Sequence, residues 1–383
     1  MAFGLGFRFG LAGRAIDRGI NLGGGIYVPR DSVVSHYKGG DSLPAGDTFA
    51  RASAGWAWET DGAVPLIGYS TDEPRFTSGR GVWIEGARTN EIFNNVFAGA
   101  GASWTAPTGW FYGFSTGSST PQTSVALPSG LALRQVASAQ RPEITQNRTL
   151  VAATYAQSLI IEAAVDPQDT LAYSPFWVSP QSHFSAGTIQ NWAAAANANT
   201  SAQQIRYGIG VAAGASGDVV FSLPQLEVGA FCSTPIVNTN TAATQTRAAE
   251  TWTTPFADGE ISVRVRARAP LAATTRQVLF QTDTDVNNRL TVFQNASGEL
   301  MLEVYRSGGE ETSMLIDVLT PGQDFSLYVG MTSSSVGFSF DEGAVVADAI
   351  TAPSIDTVRT GHDIAGNHWF STFIERFIGN VVP

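Results

Sequence analysis

Leu290 to Val304 reads Leu-Thr-Val-Phe-Gln-Asn-Ala-Ser-Gly-Glu-Leu-Met-Leu-Glu-Val. Leu290 and Val292 before the Asn295–Gly298 quartet, and Leu300, Leu302 and Val304 after it, place an apolar residue at every second position. That is the period of a strand with one face against a core. Asn, Ser and Gly between two such runs supply the chemistry of a tight reversal. The stretch is therefore a β-hairpin, and the same pattern extends outward in both directions. Ile261, Val263 and Val265 alternate with Ser262, Arg264 and Arg266. Phe325, Leu327 and Val329 answer Val336, Phe338 and Phe340 across Thr332–Ser335, a second predicted hairpin. Trp369 to Phe377 is apolar and aromatic and is expected to be a covered closing strand.

Upstream the runs are shorter but similar: Leu131–Leu133, Ile205–Tyr207–Ile209–Val211 and Val219–Phe221–Leu223. Turn signals separate them at Asp61-Gly62, Ser129-Gly130 and Ser216-Gly217-Asp218. The Ala/Asn-rich stretch from Asn191 to Ser201 has no amphipathic stripe and reads as a loop. Many short strands with regularly spaced turns predict an all-β chain of two antiparallel β-sandwich (jelly-roll) domains. Residues 1–46 precede them as a glycine-rich N-terminal arm. The domains are expected at 47–240 and 251–383, joined by the polar Thr/Asn/Ala segment 238–250 acting as a linker.

The arm carries Phe3, Leu5, Phe7, Phe9 and Leu11 alternating with Gly4, Gly6, Arg8 and Gly10. So short a segment cannot bury that row alone, which predicts attachment to another chain or packing along a symmetry axis. Arg8, Arg14 and Arg18 and the interleaved glycines break any apolar core, so the segment is not expected to act as a cleaved secretory signal.

Composition narrows the function classes. The chain has 383 residues, 43% hydrophobic and 14% charged, with a net charge of −11. No basic cluster stands out, so no nucleic-acid partner is expected. No run reaches the ~18 apolar residues that span a bilayer, so no membrane partner is expected either. All of the 22 basic residues except Lys38 are arginine. Cys232 is the only cysteine, which rules out an internal disulfide and a cysteine-based zinc site.

Catalytic and metal constellations are not readable. His36, His183, His362 and His368 form no ligand-spaced pair. Asp283-Thr284-Asp285-Val286-Asn287-Asn288 begins like a calcium loop, but Asn288 and Gln294 stand where Gly and a bidentate Glu are needed. Glu299, Glu303, Glu310, Glu311 and Glu375 offer no glycosidase-type pair, and Glu310-Glu311 point to opposite strand faces. No metal, cofactor or enzymatic activity is expected. Trp104, Trp110, Phe111, Tyr112 and Phe114 lie in a Gly/Ser/Thr-rich region, either as core or as a sugar-stacking platform.

One set of phrases carries a family resemblance. Phe49-Ala50-Arg51-Ala52-Ser53, Asp61-Gly62, Pro74-Arg75-Phe76 and Gly81-Val82-Trp83-Ile84-Glu85-Gly86-Ala87-Arg88-Thr89-Asn90 come first. Gln225-Leu226-Glu227-Val228-Gly229, Thr234-Pro235-Ile236 and Thr246-Arg247-Ala248-Ala249-Glu250 follow. The order resembles structural proteins of phages and gene-transfer agents that carry a carbohydrate-binding-module-like jelly roll. Gly366, Trp369, Ile374 and Phe377 are similar to the close of a concanavalin A-like or laminin-G-like sandwich. Residues 1–46 match no such phrase, and Phe231–Ile236 departs from the usual Pro-Thr-Ser-Tyr-Ile-Pro.

The resemblance implies a virion component, a tail fibre, spike or head fibre assembled in the host cytoplasm and located on the virion. It would dock through its arm to other virion proteins, form a homo-oligomer, specifically a homotrimer, and contact a host-surface glycan through the C-terminal sandwich. Asp283, Asp285, Asn287, Asn288 and Arg306 are the candidate glycan contacts, because rigid sandwiches place binding on loops. A glycan depolymerase and a purely structural spacer or decoration are the competing readings.

Overall fold

The structure is a computed structural model that describes strands at 20–21, 27–28 and 33–37 and most of 43–380. Outside the described residues lie 59–64, 78–80, 102–104, 115–116, 139–142, 165–169, 172–180, 183–187, 192–194, 199, 211–215, 230–231, 257–259, 271–274, 366–369 and 371. The Phe3–Leu11 row, Trp104, His183, His368 and Trp369 therefore also lie outside the description. Every regular element among the described residues is a strand, paired antiparallel with its neighbours.

The predicted hairpins form where the periodicity puts them. Asn288–Gln294 pairs with Glu299–Arg306, and Leu290, Val292, Leu300, Leu302 and Val304 are all buried. Asp324–Met331 pairs with Ser335–Phe340 around Thr332, whose amide donates to the Ser335 carbonyl. Thr372–Asn380 is an interior strand, with Ile261–Arg268 on one side and Gly81–Ile84 and Val33–Tyr37 on the other. Its edges are thus occupied, as an aromatic, low-charge strand requires.

The division at 47 and 251 departs from this pairing. Thr48–Ala50 joins Thr251–Pro255 at one end of a seven-stranded sheet. Arg75–Thr77 and Gly81–Ile84 enter the facing eight-stranded sheet through Thr372–Asn380. Phe49, Val82 and Ile84 belong to the same core as Trp252, Phe280, Leu302 and Ile374. The C-terminal sandwich is therefore discontinuous in sequence, and the jelly roll is inserted into it. Part of the expected arm also belongs here, since Val33–Tyr37 pairs with this chain's own strand. Three- and four-residue strands carry too little periodicity to announce their sheet.

The inserted jelly roll has a five-stranded and a six-stranded sheet. Ile144, Leu159, Ile161, Tyr207, Phe221 and Leu226 fill the space between them. Ala195–Asn197, within the segment read as a loop, pairs with the start of Ala153–Ala164. The long strand Ser216–Val228 contains a bulge, where the partner register slips between Ser158 and Ile160. Leu223 sits there at φ 49°. One extra residue reverses the alternation. Phe221 and Leu226, five positions apart, both face the jelly-roll core, while Leu223 turns into a separate cluster.

That separate cluster is the inter-module contact. Trp58 and Leu66, from the hairpin Gly55–Trp58/Leu66–Tyr69, pack with Val96, Leu127, Ile160 and Leu223 of the jelly roll. Trp83 of the sandwich and Val237 close against it.

Candidate functional site

Six charged residues from the phrases that carry the resemblance converge on one place, while Asp61-Gly62, Gly366 and Trp369 lie outside the described residues. Arg51, Arg75, Glu85, Glu227, Arg247 and Glu250 are all buried at the junction of the two modules. Arg75 Nε and Nη2 donate to the two oxygens of Glu250 at 2.6 and 2.5 Å, and Nη2 also reaches Glu85 Oε2 at 2.7 Å. Arg51 Nη1 donates to Glu250 Oε1 at 2.8 Å, while its Nη2 donates to the Ser70 carbonyl at 2.6 Å. The Glu85 amide donates to Glu250 Oε2 at 2.8 Å.

Thr234 ties this group to the jelly roll. Its hydroxyl accepts from Arg75 Nη1 and from Arg247 Nη1, and donates to Glu85 Oε2. Beside it, Glu227 accepts from Gln225 Nε2, Ser233 Oγ and the Ser233 amide. Asn90 Oδ1 accepts from the amides of Ile92 and Leu226. The bulge at Leu223 is what aims Gln225 and Glu227 away from the apolar core and at this cluster.

The segment 238–250 is part of the same assembly and not a free linker. Gln245–Arg247 pairs with Arg88–Asn90, and Asn238 is fully buried with its side chain bonded to Ile92, Ala243 and Asn240. Asn238, Arg247 and Glu250 spend their polarity on internal partners, while residues 239–246 between them are exposed.

The electrostatics follow from burial and pairing. Burial disfavours charge on Glu85, but Arg247, Arg75 and the Thr234 hydroxyl outweigh it and bring its carboxyl from the ordinary 4.5 down to about 2. Arg75, although buried, is held protonated above the ordinary range by Glu250 and Glu85. Burial lowers Arg247, with Glu85 pulling against it, and burial pushes the Glu227 carboxyl up. A depressed carboxyl contributes stability that is complete above its unfolded value and is lost as pH falls through its folded value. For Glu85 the window runs from about 4.5 down to about 2, worth about 3 kcal/mol. Glu227 acts oppositely, favouring the fold in acid and losing that contribution as pH rises through its raised value. Urea titrations should therefore show an acid limb below pH 4.5 that flattens in Glu85→Gln. A limb unchanged by that substitution would remove Glu85 as its source.

The five candidate contacts occupy two environments. Asp283 is not available at a rim, because it is fully buried and its carboxylate accepts Arg359 Nε and Nη2 at 2.9 and 3.1 Å, and Gln281 Nε2 at 2.8 Å. The alternation that carries Asp283 onto a sheet face was masked in sequence by the Asp-rich turn beside it. Asp285 Oδ1 accepts from the amides of Asn287 and Asn288, and these bonds hold its carboxyl below the ordinary range. Asn288 Oδ1 accepts from the Ser307 amide, and the Asn287 carbonyl from the Gly308 amide. The Asp285–Asn288 turn and the turn after Arg306 are thus joined into one exposed polar rim.

Other sequence candidates resolve into structure. Trp110 is core, edge-on to Phe97 and Tyr207, with its indole N–H on the Asn94 carbonyl. Cys232 is buried, and burial pushes its thiol well up. His362 is buried, with Nδ1 2.8 Å from the Asp363 carbonyl. Among the described residues, no group of three or more His, Cys, Asp or Glu is placed to hold a metal ion.

No protein-family model and no curated protein matches the chain. Solved structures give partial likenesses. The carbohydrate-binding module CBM40 of Ruminococcus gnavus IT-sialidase is 11% identical and covers 32% of this chain and 78% of its own, with a TM-score of 0.27. Domain 4 of AbnA, a GH43 extracellular arabinanase from Geobacillus stearothermophilus in complex with arabinotriose, is 15% identical, covering 35% and 69% with a TM-score of 0.28. The Caenorhabditis elegans galectin LEC-6 is 11% identical, covering 34% and 89% with a TM-score of 0.24. TM-scores in this range do not establish a shared family.

Proposed function

We propose that this chain is a non-catalytic structural component of a phage or phage-like particle, a fibre, spike or tail protein that meets a host-surface glycan through its C-terminal sandwich. One observation carries the reading. The phrases that resemble virion proteins, spread from Arg51 to Glu250, are consumed in a buried lock between two sandwiches and not in a reaction centre. A signature spent on holding modules rigid fits a protein whose task is to position a surface. Docking to other virion proteins through the N-terminal segment, and trimerisation, belong to the same proposal.

The test uses particles. Gold-labelled antibody against the chain should decorate isolated particles, and deleting 1–19 should abolish incorporation while leaving the melting transition intact. Absence from particles, or incorporation of the truncated chain at normal copy number, would overturn the docking reading. Release of new reducing ends from purified host glycan would replace binding by depolymerisation.

A further inference from the structure

We infer that the ligand surface is the outward face of the seven-stranded sheet, and that it takes a neutral oligosaccharide. This rests on the glycan-recognition reading above and names its site and substrate class. Cross-strand register sets the face. Glu303 lies opposite Ser313 and Thr291, Thr291 opposite Gln281, and Gln281 opposite Arg359, which in turn lies opposite Thr253. A row of polar side chains thus crosses six strands, roughly 24 Å at the ordinary strand spacing.

An outward sheet face normally carries loose, solvated side chains. This one does not. Asp283 and Thr291 are fully buried and Gln281 nearly so. Thr291 Oγ1 bonds Gln281 Oε1, and Gln281 Nε2 donates to Asp283, so the floor is a chain of fixed groups. Two ion pairs stand on it about three strands apart. Arg359 pairs with Asp283, and Arg276 Nη2 donates to Glu303 Oε2 at 3.0 Å. Arg276 and Arg359 remain 34% and 22% exposed, enough to touch a ligand. The guanidinium of Arg276 also lies 3.5 Å from the centre of the Phe293 ring, and that of Arg289 lies 3.9 Å from the Tyr305 ring centre. Both arginines are therefore held in place before anything binds, which lowers the ordering cost of binding.

The charge pattern selects the ligand class. Arg276 and Arg359 already face Glu303 and Asp283, so these two pairs offer no net positive charge to a carboxylate-bearing sugar. An arginine–carboxylate pair presents N–H donors and oxygen acceptors side by side. Adjacent sugar hydroxyls, each both donor and acceptor, complement that arrangement.

The experiment is a binding screen of the full chain against neutral gluco-, galacto- and manno-oligosaccharides beside sialylated and uronate-containing ones. Neutral probes should bind, in the millimolar range typical of single sites. Glu303→Gln and Tyr305→Ala should each weaken binding roughly tenfold, the loss of about one good polar contact, with the melting midpoint unchanged. Tyr305→Phe, which keeps the ring under Arg289, should bind nearly as the parent does. Asp285→Ala and Asn287→Ala should leave binding untouched. Neutral-glycan binding that survives the face substitutions but is lost with the rim substitutions would overturn the site and leave glycan recognition standing. Binding of anionic probes alone would overturn the ligand class. No binding to either panel would remove the glycan reading itself.

Discussion

A fragment spanning 251–383 is expected to be insoluble or to lack a cooperative transition, although the periodic sequence marks it as a domain. It would lose Phe49, Val82 and Ile84 from its core and strip Trp252 of its strand partner Phe49. Asp47 would also be gone, and with it the bonds from the Trp252 indole at 2.8 Å and the Thr254 hydroxyl at 2.6 Å. Each missing large core side chain costs about 2–5 kcal/mol, so three of them exhaust the stability of an ordinary domain. The pairing also says how to repair the fragment. Asn90 lies opposite Gln245 in an antiparallel ribbon, so a short turn can join residue 90 directly to 245 and excise the jelly roll. A chain of 33–90 fused in this way to 245–383, which keeps Val33–Tyr37 beside Thr372–Asn380, should melt cooperatively by calorimetry. Cooperative unfolding of 251–383 alone would show that the N-terminal strands are accessories.

The second large effect concerns Arg75 and Glu250. Arg75→Ala or Glu250→Ala should each destabilise the chain by about 3–5 kcal/mol, because each leaves buried opposite charges without their partner. Arg134→Ala is the control. Arg134 pairs with Asp218 at 2.5 Å but is 48% exposed, and exposed pairs contribute under about 1 kcal/mol. Urea denaturation of all three, with the Arg75/Glu250 double variant closing a cycle, measures the coupling. Single losses no larger than the Arg134 control would mean that water reaches the cluster.

What could be read from the chain, and what could not, divides along the range of the interaction. Alternation at Leu300, Leu302 and Val304 is local, so strands, hairpins and the all-β class were legible. The partition into domains was not, because Thr48–Ala50 and Gly81–Ile84 are too short to show a period and their partners lie some 200 and 290 residues away. The lock was visible as a set of phrases, yet nothing in Arg51, Glu85 or Glu250 says that they touch. The Thr/Asn polarity of 239–246 does face solvent, and composition alone does not announce that Asn238, Arg247 and Glu250 around it are buried on internal partners. At Asp283 the turn chemistry of its neighbours hid a position on the sheet face.

The split sandwich also sets an order of events during synthesis. Gly81–Ile84 leaves the ribosome early, but the strand it pairs with, Thr372–Asn380, is made almost 300 residues later. The jelly roll between them has all its own strands by Val228 and is able to close while the sandwich is half made. Translation at about 5–20 residues per second leaves the early strands waiting for many seconds. During that interval Trp83 and Ile84 have only Arg75–Thr77 beside them as a strand partner. The inserted module thus acts as a built-in holding platform, since the Trp58–Leu66 hairpin and Trp83 pack on the same apolar patch of its surface. A nascent chain is spared one exposed aromatic edge by the module that interrupts its domain.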